Sequence, residues 1–103
     1  MNDAGAAPSS APQPAALSRT MTIRNQRGLH ARAAARFVKC AEQFTAEITV
    51  RKKDMSVSGL SIMGLMMLAA GPGTAIEITA QGADADAALV ALGDLVEGKF
   101  GEE

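Results

Sequence analysis

The only histidine of this chain, His30, stands two residues after Gly28 and two before Arg32, in the run Arg27-Gly28-Leu29-His30-Ala31-Arg32-Ala33-Ala34-Ala35-Arg36-Phe37-Val38-Lys39. Imidazole is the side chain that offers an uncharged nucleophilic nitrogen near neutral pH. A glycine lets the backbone turn sharply out of an extended run, and the alanine-rich segment after it has high helix propensity. The spacing therefore predicts His30 at or just before a helix N-terminus. Unpaired backbone N–H groups and the positive end of the helix dipole favour an anion there, and Arg32 in the first turn adds a planar donor fork suited to phosphate. The first-turn groups of Ala31, Arg32 and Ala33 are the expected clamp for a phosphoryl group carried on His30.

Taken singly, a histidine at a loop–helix junction would serve as a cap or a surface residue, and Arg32 as a solvated helix residue. Their combination says more. Arg24, Arg27, Arg32, Arg36 and Lys39 supply five of the ten basic residues within sixteen positions, and no acid interrupts them. In a chain of formal net charge −1 this is a local positive field.

Gly28-Leu29-His30-Ala31-Arg32, followed by a small-residue helix running into Phe37-Val38, resembles the active-site segment of the HPr family, the phosphocarriers of the bacterial sugar phosphotransferase system. Ser61-Ile62-Met63-Gly64-Leu65-Met66, beginning thirty-one residues after His30, resembles the family's regulatory serine and the short helix behind it. The resemblance covers roughly residues 19 to 100. One departure is visible: many members have proline after the arginine, where this chain has Ala33. Proline would pre-set the first helical turn, but alanine is also a strong helix former, so rigidity is lost rather than chemistry.

Composition narrows the alternatives. The 103 residues suffice for one domain. Residues 1–17 hold Pro8, Pro12 and Pro14, much alanine and serine and a single charge at Asp3. They are expected to form a disordered tail ahead of a folded domain over 18–103. The start has neither the basic residues nor the continuous apolar core of a secretory signal. The longest apolar region, Ile62 to Ala70, is too short for a membrane span, so no direct membrane insertion is expected. Cys40 is the sole cysteine, which excludes an internal disulfide or a multi-cysteine metal site and fits a cytoplasmic protein. It is read as a small packed residue. Neutral balance and the absence of Trp and Tyr argue against nucleic acid as a partner.

These groups need a scaffold, and the hydrophobic pattern supplies one. Met21 and Ile23 alternate with polar neighbours in a strand over about 19–25. Ala34, Phe37, Val38 and Ala41 recur at helical spacing over about 31–43. Ala46, Ile48 and Val50, then Met55 and Val57, alternate on either side of Lys52-Lys53-Asp54, which reads as a hairpin turn. Ser61 is a plausible N-cap for a short helix over about 61–69 that Gly71-Pro72-Gly73 ends. Ile76 and Ile78 mark a fourth strand, and Ala85, Ala88, Leu89, Leu92 and Val96 a last helix over about 83–98, with Asp84 and Asp86 in its first turn. The expected fold is α+β, an open-faced sandwich of order βαββαβα with three helices on one face of a four-stranded antiparallel sheet. Asp84 and Asp86 are read as complements to the helix dipole, and no metal site is expected.

The helix after Ser61 has almost no polar face, and a helix lying on a sheet buries only one side. Periodicity leaves a fully buried helix and an exposed patch equally open. The family resemblance implies a docking patch of Ile62, Met63 and Met66, joined by the basic edge of Arg32, Arg36 and Lys39. It further implies that His30 accepts phosphate on Nδ1 from enzyme I and passes it to enzyme IIA domains, and that an HPr kinase/phosphorylase modifies Ser61. On this reading the chain is a monomeric stoichiometric carrier rather than an enzyme, and it needs no cofactor. Two alternatives stand beside it: a carrier of the nitrogen-related regulatory branch with the same chemistry, and an unphosphorylated interaction module in which His30 is merely a cap.

Overall fold

The computed structural model describes residues 16–102. In chain order they form β1 (Leu17–Thr22), α1 (Ala31–Ala41), β2 (Glu47–Lys52), β3 (Met55–Ser58), α2 (Ile62–Met67), β4 (Ala75–Gln81) and α3 (Ala85–Glu97), followed by a 3-10 turn at Lys99–Gly101. The strands lie in the order β1-β4-β2-β3, every neighbouring pair antiparallel. This is the open-faced α+β sandwich expected from the pattern, with the terminal 3-10 turn added.

Alternation decides which sheet face is covered. Met21, Ile48, Val50, Ile76, Ile78 and Ala80 are buried beneath the helices, which contribute Ala33, Ala34, Phe37, Leu65, Leu92 and Val96 to the same core. The other face stays wet and polar. There Arg51 and Glu77 oppose each other across β2 and β4 and form an ion pair at 2.7 Å. Such an exposed pair contributes little, ~0–1 kcal/mol, so apolar burial sets the register.

Element ends shift for identifiable reasons. The strand expected over 19–25 runs Leu17–Thr22, so Leu17 belongs to the sheet; residues 1–15 of the expected tail lie outside the described residues. Ile23 leaves the ladder but exchanges hydrogen bonds with the β4 approach, to Thr74 O at 2.9 Å and from Gly73 N at 2.8 Å. Helix α1 stops at Ala41 rather than 43, and Gln43 closes a looser turn onto Cys40. Helix α2 ends at Met67, earlier than Gly71-Pro72-Gly73 would require. Ala69 adopts a left-handed φ of +52°, and Lys52 Nζ takes the carbonyls of Leu68 and Ala69 at 3.0 and 3.3 Å. Asp84 sits at the N-cap of α3 rather than in its first turn. Its carboxylate accepts from Thr45 N at 2.7 Å while its own N–H donates to Thr45 O, tying the start of α3 to the approach to β2.

Candidate functional site

His30 is the N-cap residue of α1, with extended backbone (φ −77°, ψ 179°) and no side-chain hydrogen bond to the helix. The first helical bond is from Ala34 N to His30 O at 2.8 Å. The N–H groups of Ala31, Arg32 and Ala33 thus precede the ladder, where a helix presents donors to an anion. The turn into His30 needs glycine twice over. Gly28 has φ +66°, and a Cβ there would lie 2.3 Å from the carbonyl oxygen of Ala70. The next residue uses that carbonyl: Leu29 N donates to Ala70 O at 2.9 Å. The loop after α2 therefore fixes the height at which His30 emerges.

The imidazole is not idle. Its Nε2 lies 2.5 Å from Glu102 Oε2, with both side chains about one-fifth exposed. Facing an ionised carboxylate, which only accepts, Nε2 is the nitrogen that carries the proton, and in the neutral ring Nδ1 is the bare one. Asn25 holds the other end of Glu102: its Nδ2 donates to Glu102 Oε1 at 3.1 Å and to Gly28 O at 2.8 Å. Both amide hydrogens are thereby used, which orients the fully buried Asn25 and leaves its Oδ1 without a partner among the described residues. The hydrogen bond from His30, then that from Asn25 and the charges of His30 and Arg27, hold the Glu102 carboxyl below its usual range against the opposing effect of burial.

Glu102 reaches the site because the chain end is pinned. Lys99 and Phe100 both take left-handed backbone, φ +58° and +57°, which costs ~1–2 kcal/mol each for residues with a Cβ. Against this, Phe100 is fully buried, worth ~1.5–3 kcal/mol, and the Arg36 guanidinium donates to the Phe100 carbonyl, a charged hydrogen bond worth about as much. The two sides roughly balance, so the turn holds only with its anchors in place.

The basic run is thus partly spent within the molecule. Arg36 serves the C-terminal turn, and Arg24 pairs with Glu97 at 3.3 Å. Arg32 and Lys39 are exposed and have no hydrogen-bond or ion-pair partner among the described residues. Beside Glu102 an open cleft of about 380 Å³ is walled by Arg24, Arg27 and Lys99. Cys40 is half-buried, and burial pushes its thiol up, away from reactivity.

Ser61 is the N-cap of α2 and accepts from Gly64 N at 2.9 Å. The helix turns Leu65 and the following Leu68 inward and leaves Ile62, Met63, Met66 and Met67 exposed, Met63 at 72% and Met67 at 66%. Of the two readings that periodicity left open, the exposed patch holds, and it includes Met67, which the docking set from sequence omitted. Helix α2 packs against α1, so the patch and the His30 turn rest on contiguous structure.

Sequence reasoning did not place Glu102 or Asn25 in the site. The contact of His30 with Glu102 spans seventy-two residues, beyond any local pattern. One signal was available: Phe100-Gly101 after Gly98 is an aromatic residue in an otherwise polar terminus, the mark of an end folded back onto a core.

The family profile described as PTS HPr component phosphorylation site matches residues 17–98. A curated phosphocarrier protein HPr of Neisseria meningitidis serogroup B is 52% identical over 86 residues, covering 84% of this chain and 97% of the relative. A phosphocarrier protein NPr of Shewanella violacea is 46% identical over 86 residues, covering 84% and 94%. Among solved structures, an HPr of Thermoanaerobacter tengcongensis superposes with TM-score 0.81 at 45% identity, over 84% of this chain and 98% of that one.

Proposed function

This chain belongs to the HPr family of phosphotransferase-system phosphocarriers, and on that premise we propose that His30 Nδ1 takes a phosphoryl group from phosphorylated enzyme I and hands it to enzyme IIA domains. The observation that carries this reading is the ring's setting: Nε2 is committed to Glu102 while the ring stands at the mouth of α1. In the forward step the Nδ1 lone pair attacks phosphorus. The N–P bond forms as the donor's bond to phosphorus breaks, and that bond's electron pair returns to the donor. Phosphoryl transfer has a loose transition state, so positioning and charge neutralisation do most of what is needed. Arg32 and the N–H groups of Ala31, Arg32 and Ala33 supply the neutralisation here. The second transfer is the same displacement with a partner nucleophile, which makes the chain a stoichiometric carrier; the reading includes a cytoplasmic monomer that needs no cofactor.

Partners dock on Ile62, Met63 and Met66 beside Arg32 and Lys39, with Arg36 at the margin of that surface. Adaptable methionines suit a surface that meets several partners in turn. Ser61 is a target for an HPr kinase/phosphorylase: a phosphate at this N-cap would set a hydrated double charge within the apolar patch and weaken exchange with enzyme I. The test of the carrier reading is incubation of the full chain with enzyme I and phosphoenolpyruvate. An acid-labile phosphoryl adduct on the wild type, absent from His30→Ala, is expected; no adduct, or an undiminished one on the variant, would overturn it.

The nitrogen-related branch is the second reading, and the 46% identity to an NPr carrier favours keeping it. The chemistry is the same and only the receivers differ. Genes for sugar permeases beside this one would favour sugar uptake, and regulatory phosphotransferase genes in their place would favour signalling.

A further inference from the structure

We propose that Met63, Met66 and Met67 form an oxidation-sensitive site on α2: peroxide converts their thioethers to sulfoxides, and the oxidised patch exchanges phosphoryl groups poorly with enzyme I. The consequence for transfer rests on the docking surface of the carrier reading above; the modification itself does not.

The methionines of this chain are unevenly placed. Three of them stand on the short helix α2, and Met63 and Met67, four residues apart, share one face of it. Met63 is 72% exposed, Met67 66% and Met66 40%, whereas Met21 in the core is 4% exposed. Access of a dissolved oxidant to sulfur follows that order. The chemistry needs only access: the thioether sulfur attacks one oxygen of hydrogen peroxide, and the O–O bond breaks as the S–O bond forms. The hydrogen on the transferred oxygen passes to the leaving oxygen, so sulfur is oxidised by two electrons and the peroxide is reduced to water. A thiol-dependent sulfoxide reductase reverses the step, the oxygen leaving as water while two thiols join in a disulfide.

The placement separates transfer from folding. Helix α2 is held by Leu65 and the following Leu68 turned into the core, by Ser61 capping Gly64 N, and by Lys52 Nζ on the carbonyls of Leu68 and Ala69. None of these anchors is a methionine side chain. A sulfoxide on an exposed side chain keeps its hydration, so the helix keeps its place. In a docked complex the same group must give up that hydration, and an adaptable apolar surface has become a polar, chiral one. Two other sulfurs serve as references within the molecule. Met55 is 44% exposed but lies on β3, away from the helix, and Cys40 is half-buried with its thiol pushed up, which keeps the reactive thiolate scarce.

The test treats the full chain with hydrogen peroxide. Peptide mass spectrometry follows each sulfur, thermal unfolding follows the fold, and transfer from enzyme I with phosphoenolpyruvate gives kcat and KM separately. Met63 and Met67 are expected to gain oxygen roughly tenfold or more faster than Met21. The melting temperature should hold while KM rises roughly tenfold with kcat kept, as when a polar group must be desolvated on docking. Sulfoxide reductases of both epimer specificities should restore the original KM. A Met63→Leu, Met66→Leu, Met67→Leu triple variant, which retains Met55 and Cys40, is compared with its own untreated sample and should show no change on treatment. Methionines of α2 that oxidise no faster than Met21, an oxidised wild type with its KM unchanged, a KM rise that tracks loss of the fold, or an equal rise in the treated triple variant would each overturn the proposal. An untreated wild type that takes no phosphate refutes the carrier reading instead, and the order of oxidation is still read by mass.

Discussion

The guanidinium of Arg36 donates to the carbonyl oxygen of Phe100, so the helix that His30 begins also holds the turn that brings Glu102 to His30. Removing that donor while keeping the length of the side chain, as in Arg36→Met, is expected to loosen the chain end. Losing a hydrogen bond to a charged group should cost about 1.5–3 kcal/mol. The amides of Gly101 and Glu102, bonded to Gly98 O and Lys99 O, should exchange with solvent more than tenfold faster, well beyond any change at the sheet amides. Hydrogen exchange followed residue by residue checks this; unchanged protection at both amides would show that Phe100 holds the turn alone.

Gly28→Ala is expected to be the most damaging small substitution near the site. It forces a Cβ into left-handed backbone and to 2.3 Å from the Ala70 oxygen, which is main chain and cannot rotate away. Strain of this kind costs about 1–3 kcal/mol before the steric clash is added. Thermal unfolding should show a loss of at least that size, and phosphoryl transfer should fall with it because the Leu29 to Ala70 hydrogen bond is displaced. Wild-type stability in this variant would mean that the loop after α2 does not set the position of His30.

Ser61→Ala removes the cap on Gly64 N and should cost about 1 kcal/mol, the usual value for an N-cap. Enzymatic phosphorylation of Ser61 is expected to behave differently: stability nearly kept, and KM in transfer from enzyme I raised at least tenfold. Unchanged transfer kinetics of the phosphorylated protein would separate the patch around Met63 from partner docking.

The Glu102 carboxyl titrates below its usual range when folded. A group depressed in this way contributes stability that is complete above its unfolded pKa and is lost as pH falls through the folded value. The His30 to Glu102 contact should therefore persist through the ordinary carboxylate range and open only in stronger acid. Carboxyl ¹³C shifts followed against pH check this, and in His30→Ala the midpoint should move back up. A midpoint unaffected by His30→Ala would assign the depression to Asn25 and Arg27 instead.

Much of this was legible in local patterns. Period-two alternation around Ile48, Val50, Ile76 and Ile78 marks strands with one wet face, the pattern of an antiparallel sheet, and the short turn between Lys52 and Met55 pairs β2 with β3. Gly28, His30 and Ser61 lie where turn and cap chemistry places them, because these roles depend on a few neighbouring residues. Glu102 escaped for the opposite reason: it depends on Phe100, Arg36 and Asn25, groups far apart in sequence that meet only once the core forms. Glu97 and Glu102 likewise reach back across the fold to Arg24 and His30. Asp84 stands at the N-cap of its helix, one step before the expected first turn, and its partner Thr45 lies thirty-nine residues away, where no local pattern points.

The most direct measurement is the site of phosphate attachment on ¹⁵N-histidine-labelled protein after incubation with enzyme I and phosphoenolpyruvate. One-bond ³¹P–¹⁵N coupling to Nδ1 of His30, with Nε2 still protonated, is the predicted result. Coupling to Nε2, the nitrogen that faces Glu102, or phosphate found on any other residue, would contradict the account.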